Sequence, residues 1–540
     1  MDALMSLFEG FTHALTPMNL LWVLVGCFLG TTVGVLPGLG SSMAVALLLP
    51  MTFALDPTGA FIMFAGVYFG GLFGDSTMAI LMNTPGQASA IASTFEGHKM
   101  AKAGRAPQAL ATAAIGAFIG GFISCFLVVF VAPALAELST SFGPAEFFAL
   151  ALFAFVATSS VVADSVLKGL AALVLGIGFT VIGIDSVSGT ERFTFGVPEL
   201  FDGVSLVTVT VGVLALGEVF FIASRIRRQT KDNTINSSGR PFLSRKEVGE
   251  ALPAWLRGTA IGLPFGVIPV GGADVPTFMA YGLERKLDAR RKDPQFGKGA
   301  IRGLAAPEAA GSATTGIAMG ALLALGLPIS ATAAIMLAAF RQYGIQPGPL
   351  LFDRSPELVW GLLASFFVAM IVLLIINLPF APLWAKLLKI PDPYLYGGIA
   401  VFCGLGIYAT SASTFELLIL LGIGVLSFVL KRYGVPLAPL MIGMVLGPLA
   451  ESNLRDSLLA SGGDASTLVS SPITIVIYLV LIGALVYTGV GRVLARKRQD
   501  KTDAWGTSLR QFYQHYFTAT AKLCWLRWLS VPQRLTMLKN

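Results

Sequence analysis

Residues 34–42 read GVLPGLGSS in the middle of one apolar stretch, and residues 266–274 read GVIPVGGAD in the middle of another. Glycine and proline at these positions interrupt a helix and leave backbone donors and acceptors without partners. In a bilayer such a break is tolerated only where the backbone is buried in protein or lines a wet cavity. A matched pair of interrupted spans, one in each half of a chain, is typical of a secondary transporter.

The composition indicates an integral membrane protein. Of the 540 residues, 55% are hydrophobic and 12% are charged, whereas a soluble domain carries about 25% charged residues. The apolar runs predict an all-α membrane protein, a polytopic helical bundle of about 11–12 membrane segments. The four cysteines and three histidines are scattered, so we expect no metal site and no cofactor. No nucleophile elbow or Walker motif occurs, and we expect no enzymatic activity.

The basic residues predict the orientation of the chain, because positively charged loops stay in the cytoplasm. No lysine or arginine precedes Lys99, and the later ones cluster in residues 93–108, 224–257, 283–302, 431–432 and 496–498. We expect these loops on the cytoplasmic side of the membrane, with the N-terminus outside and the C-terminus in the cytoplasm. A nucleic-acid partner has no support, since the charge is spread over loops between apolar segments.

Both breaks predict a helical hairpin that enters the membrane without crossing it. Residues 258–282 have basic flanks at both ends, and each arm of about 11 residues spans roughly 16 Å, against a core of about 30 Å. Residues 43–55, the second arm of the first hairpin, are also too short to cross. One hairpin then enters from each side, which predicts two inverted repeats. Ordinary kinks in two tilted helices are the alternative.

These patterns divide the chain into five regions. They are a first transmembrane repeat, a connecting span with a basic cytoplasmic loop, a second transmembrane repeat, a last transmembrane helix and a basic cytoplasmic tail. The predicted boundaries are residues 1–184, 185–244, 245–450, 451–499 and 500–540. The tail mixes aromatic and basic residues, so it is interpreted either as an interfacial helix or as a disordered segment.

A second break follows each hairpin, at LMNTPGQAS (residues 81–89) and at LGLPISAT (residues 325–332). Half-helices that begin at such breaks present free N–H groups and a positive dipole end, which suit a carboxylate without any arginine. The predicted substrate-binding residues are Pro37, Gly38, Gly40, Ser41, Ser42, Asn83, Thr84, Pro85, Gly86, Gly271, Gly272, Gly326, Pro328 and Ser330. For any single run, plain helix packing through small residues is the alternative.

Three acidic residues lie within or beside the interrupted segments. An ionisable group at membrane depth is costly and points to a function, and unwound carbonyls with serine and threonine oxygens suit Na⁺. The predicted ion-coupling residues, which would bind Na⁺ or carry H⁺, are Asp75, Asp274, Glu308, Ser312, Thr314 and Thr315. The alternative for each acid is a capped, hydrogen-bonded carboxylate near the end of a segment.

Several motifs resemble one family in their order and spacing. They are GVLPGLGSSMAVALLLP from residue 34, FGDSTMAILMNTPGQASAIASTFEGHKMAKAGRA from 73, GVIPVGGADVP from 266, GLAAPEAAGSATTG from 303, LGLPISATAA from 325 and GIQPGPLL from 344. The chain resembles the large membrane subunit, the TctA-like permease, of the tripartite tricarboxylate transporters. Two positions depart from the family pattern: Gly311-Ser312 stand where paired asparagines are usual, and the second hairpin reads Pro269-Val270-Gly271-Gly272.

The resemblance implies a permease that imports a tricarboxylate or another organic carboxylate, driven by a Na⁺ or H⁺ gradient. It also implies two protein partners in the same system, a periplasmic solute-binding protein and a small four-span membrane subunit. A channel or a non-transporting membrane receptor is the alternative function. A lipid-handling scaffold is a weaker alternative, which would need no hydrophilic cavity between the two halves.

Overall fold

A computed structural model gives the fold of residues 2–36, 39–52, 55–83, 85–161, 165–185, 188–224, 241–268, 272–387, 390–483 and 485–486. Residues 1–478 form one structural unit, and Leu479 begins a second one. Four predicted site residues, Pro37, Gly38, Thr84 and Gly271, lie outside the described residues, as does the tail 500–540.

The described residues of the first half form ten α-helices. They are α1 (Asp2–Ala14), α2 (Pro17–Val35), α3 (Ser41–Thr52), α4 (Pro57–Met82), α5 (Ile91–Met100), α6 (Ala106–Ser139), α7 (Pro144–Val161), α8 (Val166–Thr180), α9 (Leu206–Val211) and α10 (Gly217–Ala223). Short 3₁₀ turns lie at Ala88–Ala90 and Pro198–Leu200, and π-helical turns at Ala101–Arg105 and Gly212–Leu216. Strands β1 (Gly183–Ile184) and β2 (Glu191–Arg192) pair antiparallel.

The second half contributes the remaining helices. They are α11 (Arg245–Phe265), α12 (Asp274–Asp288), α13 (Ile301–Leu325), α14 (Ala331–Gln342), α15 (Leu351–Arg354), α16 (Pro356–Asn377), α17 (Ala381–Leu387), α18 (Asp392–Ser411), α19 (Thr414–Arg432), α20 (Leu437–Ala460) and α21 (Pro472–Gly483), with a 3₁₀ turn at Ala465–Val469. The protein is therefore an all-α polytopic membrane protein, as the composition predicts.

Two long helices, α4 and α13, form the centre of the bundle. Among the described residues, nine helical stretches are long and apolar enough to cross a bilayer. In α13 and α4, 94% and 83% of the most apolar window is buried inside the protein, whereas in α18 and α19 only 22% is buried. The central helices therefore contact protein on nearly every side, and the outer ones leave an apolar face for lipid.

The two halves pack their hairpins in the same way. The helix before each break lies against the central helix through small residues at every fourth position: Gly26, Gly30 and Gly34 of α2 against α4, and Gly258 and Gly262 of α11 against α13. A Cβ at any of these glycines would overlap a backbone carbonyl group of the central helix. Such close backbone approach is how helices associate in lipid.

Each central helix ends in a left-handed residue at the second break of its half. Asn83 follows α4 with φ 58°, and Gly326 follows α13 with φ 65°. Glycine adopts this conformation freely and asparagine tolerates it better than most residues. The chain therefore leaves each central helix at a matched position and begins a new, shorter helix.

Helix α11 is longer than the predicted arm, because it begins at Arg245 and not near residue 258. Its N-terminus is a capping box, in which Ser244 accepts from the N–H of Glu247 and Glu247 accepts from the N–H of Ser244. Partial burial raises the pKa of Glu247, but the hydrogen bonds from Ser244 and Arg105 outweigh it and lower the pKa overall. A hydropathy profile does not detect this part of the helix, because its first turns are polar.

Three of the basic stretches meet at one end of the bundle. Glu96 accepts hydrogen bonds from the backbone N–H groups of Gly297, Gly299 and Ala300, at 2.7, 2.8 and 2.9 Å. Glu284 is fully buried between Arg257, at 2.6 Å, and Arg302, at 2.7 Å. Arg105 is joined to Glu247 at 2.7 Å. Residues 96–105, 244–257 and 284–302 are therefore held together, although they are far apart in sequence.

Candidate functional site

All four breaks contribute to the wall of one cavity of about 220 Å³, here called the central cavity. It is lined by Ser42 of the first hairpin, Gln87–Ser89 after α4, Gly272–Asp274 of the second hairpin and Ile329–Thr332 after α13. Thr158 of α7 and Ile442 of α20 close it from the outer layer. Segments separated by almost 300 residues thus meet around one space.

Hydroxyl groups join the first half to the second at this cavity. Ser41 Oγ lies 2.9 Å from Thr332 Oγ1 and also donates to the side-chain oxygen of Gln87 at 3.1 Å. Tyr68, in the middle of α4, lies with its hydroxyl 3.3 Å from Ser330 Oγ. The breaks are therefore bonded to one another, and the cavity wall is polar.

Helices begin at this wall. Helix α3 begins at Ser41, α12 at Asp274 and α14 at Ala331, and the 3₁₀ turn that leads into α5 begins at Ala88. The first N–H groups of a helix have no partner inside it, and they attract anions together with the helix dipole. Ser330 accepts from the N–H of Ala333 in α14, whereas no side chain of the described residues caps α12.

The central cavity contains no positively charged side chain among the described residues that line it. Its polar side chains are the hydroxyl groups of Ser42, Tyr68, Ser89, Thr158, Thr315, Ser330 and Thr332, the amide of Gln87 and the carboxylate of Asp274. An anion in this space would be held by backbone N–H groups and hydroxyl donors. Asp274 would lie beside it with a charge of the same sign.

A smaller cavity of about 20 Å³, here called the ion cavity, lies beside the central one and shares Leu72 and Ser89 with it. Its wall carries the carboxylates of Asp75 and Glu308 and the hydroxyl groups of Ser76, Ser89, Ser93, Thr277 and Ser312. Space of about 10–15 Å³ is enough for one water molecule. The ion cavity can therefore hold a single particle of that size.

The two carboxylates of the ion cavity differ in how they are bonded. Asp75 is 1% exposed and accepts from the backbone N–H groups of Gly86, at 2.5 Å, and Gln87, at 3.0 Å. Glu308 is 8% exposed; its Oε2 accepts from Ser76 at 2.6 Å, and its Oε1 has no hydrogen-bond partner within 3.5 Å among the described residues. Asp75 therefore holds the backbone of the break after α4 in place, whereas one oxygen of Glu308 remains available to another partner.

The family model described as "Tripartite tricarboxylate transporter TctA family" matches residues 20–442, a range that includes all four breaks and both cavities. The chain belongs to the TctA family. An Agrobacterium vitis protein named "Uncharacterized 52.8 kDa protein in TAR-I ttuC' 3'region" is 38% identical over 506 residues, which cover 93% of this chain and 99% of that protein.

A second Agrobacterium vitis relative of this TctA-family chain covers a smaller part of it. That protein, "Uncharacterized protein in TAR-II ttuC' 3'region", is 40% identical over 209 residues, which are 38% of this chain and 85% of that protein. No solved structure matches the chain. The assignment of the chain to the TctA family therefore rests on the family model and on the similar sequences.

The end of the chain matches a different family. A model described as "Inhibitor of glucose uptake transporter SgrT" matches residues 509–540. The Escherichia coli (strain K12) protein "Putative inhibitor of glucose uptake transporter SgrT" is 94% identical over 32 residues, which are 6% of this chain and 74% of that protein. These residues lie beyond the TctA match, and the structure does not describe them.

The structure brings many of the predicted site residues of this TctA-family member together. Ser42, Gly272, Asp274, Thr315 and Ser330 line the central cavity, and Asp75, Glu308 and Ser312 line the ion cavity. Ser41 lies next to the central cavity, bonded to Thr332. These residues come from both halves of the chain, so the matched motifs in the sequence mark one region of the fold.

Other predicted residues have structural positions outside the two walls. Thr314 donates to the carbonyl groups of Gly262 and Ala310, both at 2.9 Å, and so holds α11 against α13. Asn83 and Gly326 end the two central helices. The remaining ones, Gly40, Pro85, Gly86 and Pro328, belong to the breaks but are absent from both linings among the described residues.

Several wall residues were not predicted from the sequence. Tyr68 and Ser76 stand out as polar residues inside an apolar helix and could have been found by that signal. Ser89 and Thr332 are the last residues of the two quoted motifs, LMNTPGQAS and LGLPISAT. Thr158 carries no such signal, because only the packing of α7 onto the breaks brings it to the central cavity.

Proposed function

We propose that this chain is the permease that carries an organic carboxylate inward across the bacterial inner membrane, in symport with Na⁺ or H⁺. The central cavity carries this proposal. Helix N-termini from both halves meet there, and the described wall holds hydroxyl groups and no basic side chain. Broken helices whose positive ends point at an anion are the binding arrangement of several secondary transporters.

The size of the central cavity supports a small substrate. Pockets for drug-sized ligands are about 300–1,000 Å³, whereas this one has about 220 Å³. A di- or tricarboxylate with a short carbon chain is smaller than a drug-sized ligand and suits a cavity of this volume. Its several charges would match the several helix ends, each of which carries roughly half a positive charge.

Asp274 supports coupling to a cation. Its carboxylate lines the central cavity, where a bound carboxylate would carry charge of the same sign. Taking an uncompensated charge out of water costs several kcal/mol. A Na⁺ or H⁺ that enters with the substrate lowers this cost, which is the physical basis of symport.

The partners follow from the tripartite nature of the family. We propose that a periplasmic binding protein delivers the carboxylate and that a small four-span subunit accompanies this chain. The meeting of residues 96–105, 244–257 and 284–302 at one end supports a common cytoplasmic side for these basic stretches. On this orientation the N-terminus is periplasmic and the C-terminus cytoplasmic.

The experiment that tests transport begins with thermal stabilisation of the purified binding protein by a panel of carboxylates. The full complex is then reconstituted in liposomes, and uptake of the selected radiolabelled carboxylate is measured. We expect saturable uptake that collapses when an ionophore removes the Na⁺ and H⁺ gradients. Uptake that does not saturate and survives the ionophore would indicate a channel, and binding without uptake would indicate a receptor.

We also propose a second function, for residues 509–540: that they inhibit a glucose uptake transporter in the same membrane. The support is the 94% identity over 32 residues with the Escherichia coli protein whose name states this activity. Attachment to a membrane-embedded chain would hold the segment beside its target and raise its effective concentration. A cytoplasmic C-terminus would place it on the inner face.

The prediction is tested by comparing the full chain with a variant that ends at residue 508. We expect cells that express the full chain to take up a glucose analogue more slowly than cells that express the shortened chain. Carboxylate uptake should be equal in both. A full-length variant with residues 509–540 in scrambled order is the matched control. Equal glucose-analogue uptake with the native and scrambled sequences would contradict this second function.

A further inference from the structure

We propose that the ion cavity is a Na⁺ site in which Glu308 Oε1 is the anionic ligand. This inference rests on the proposed symport in that it names the coupling ion and its place. Binding of Na⁺ can nevertheless be measured without any transport. The site is separate from the central cavity, which the substrate would occupy, and touches it through Leu72 and Ser89.

The first argument is the unpaired oxygen of a buried carboxylate. Glu308 is 8% exposed, its Oε2 is bonded to Ser76, and its Oε1 has no hydrogen-bond partner within 3.5 Å among the described residues, although the hydroxyl of Ser93 lies on the same wall. Leaving a buried acceptor unpaired costs about 1–3 kcal/mol, and more for a charged group. No lysine or arginine is among the described residues of this wall, so a mobile cation is the partner that the site lacks.

The second argument is the room and the ligand type. A cavity of about 20 Å³ adjoins Glu308, and an unhydrated Na⁺ needs no more space than a water molecule. The hydroxyl oxygens of Ser76, Ser89, Ser93, Thr277 and Ser312 surround the space. Oxygen ligands of this kind suit hard cations.

The third argument concerns the charge of the ion. Asp75 also borders the ion cavity, but both of its oxygens already accept backbone N–H groups, from Gly86 and Gln87. Glu308 Oε1 is therefore the one oxygen of these two carboxylates that accepts no hydrogen bond from the described residues. This favours a monovalent cation over a divalent one, since a divalent ion is usually bound by several carboxylate oxygens.

The position of the site explains how Na⁺ binding would affect substrate binding. Ser89 lines both cavities, and it lies in the 3₁₀ turn at Ala88–Ala90 that begins at the central cavity. Asp75 holds the residues just before this turn. A Na⁺ ion that contacts Ser89 would fix the turn, and the substrate would then meet an ordered wall. Each ligand would therefore raise the affinity for the other by the same factor.

The test is thermal unfolding of the purified full-length chain over a range of NaCl concentrations, with choline chloride keeping the ionic strength constant. A ligand of the folded state raises the unfolding temperature as its concentration rises. We expect Na⁺ to stabilise the wild type more than K⁺ does. In Glu308→Gln we expect the Na⁺ midpoint to rise by about tenfold or more. Ser312→Ala should raise it by a smaller factor.

Matched controls separate a lost ligand from a damaged fold. Glu146 is 8% exposed, like Glu308, but lies outside both linings, and Ser365 is a buried serine of α16 outside them. Glu146→Gln and Ser365→Ala should keep the wild-type Na⁺ midpoint. An unchanged midpoint in Glu308→Gln, or no stabilisation specific to Na⁺ in the wild type, would overturn the site.

The transport assay distinguishes failure of the site from failure of the proposed function. If Na⁺ stabilises the wild type and not Glu308→Gln, but no carboxylate is taken up, the site stands and the proposed function fails. If uptake occurs and Glu308→Gln binds Na⁺ as the wild type does, the proposed function stands and the site fails.

Discussion

Ser330 is both a helix cap and part of a cavity wall. Its side chain caps α14 by accepting from the N–H of Ala333 at 3.2 Å, and it also lines the central cavity. Serine, asparagine and aspartate cap helices about equally well. The charge at this point can therefore be changed while the helix remains capped, which makes the position suitable for testing anion binding.

We predict that Ser330→Asp lowers the apparent affinity for the carboxylate by about tenfold or more, because apposed like charges cost several kcal/mol. Ser330→Asn should retain most of the affinity, since it caps the helix without adding charge. The measurement is the KM for uptake in liposomes, with the unfolding temperature of each variant as a check of the fold. Equal losses in both variants would show that the residue acts through packing and not through charge.

At the residue scale, the sequence located the groups that stand out chemically. Asp75, Asp274 and Glu308 were recognised because acidic residues in apolar segments are costly, and all three border a cavity. The hydrogen bonds that each carboxylate makes were not predictable, because they depend on which donors the fold brings to each oxygen. Asp75 accepts two N–H groups of a loop that follows its own helix, whereas Glu308 meets Ser76, 232 residues away.

At the scale of elements, glycine spacing determines how closely α11 and α13 pack. We predict that Gly262→Ala destabilises the protein by about 1–3 kcal/mol, because its Cβ would overlap the carbonyl oxygen of Ala310 and force the helices apart. Gly282 of α12 is the matched control, since no atom of the part of the chain that the structure describes lies within 4 Å of its Cβ position. Gly282→Ala should be neutral or stabilising by up to about 1 kcal/mol.

The measurement is thermal unfolding of both variants in the same detergent. A Gly262→Ala protein as stable as the wild type would show that α11 does not pack as closely on α13 as the structure has it. A destabilised Gly282→Ala protein would show that α12 meets a further surface, such as the small membrane subunit.

The existence of most elements was predictable, and their ends were less so. Hydropathy detects α2 and α4 because they are apolar throughout, and the glycine–proline motifs correctly place the break after each. Helix α11 begins 13 residues earlier than the predicted arm, at a capping box followed by charged residues that no hydropathy window detects. Hydropathy does not detect helix α1 for a similar reason, because polar residues recur along one face of this short helix.

At the scale of the whole molecule, each break was predictable from its own motif. That the four breaks lie together was inferred from their matched positions in the two halves of the chain. The structure shows that all four lie around one cavity and that Ser41 and Thr332 are bonded to each other beside it at 2.9 Å. Helices α7 and α20 also contribute to the wall of this cavity, and their positions there depend on tertiary packing alone. Helix α2 packs on α4 in the same way as α11 packs on α13, but this similarity does not show from which side of the membrane each hairpin enters. The inverted repeats and the five regional boundaries therefore stay predictions.

The account depends most on the central cavity being the place where the carboxylate binds. The direct measurement uses the full-length chain with its native cysteines replaced and a single cysteine at Ser42, which lines the cavity and is partly exposed. The rate of reaction with a small, charged thiol reagent is measured with and without the transported carboxylate. We predict that Ser42→Cys reacts and that the carboxylate protects it, whereas Ser365→Cys, buried outside the cavity, does not react. A Ser42→Cys protein that reacts at the same rate with and without the carboxylate would contradict the account.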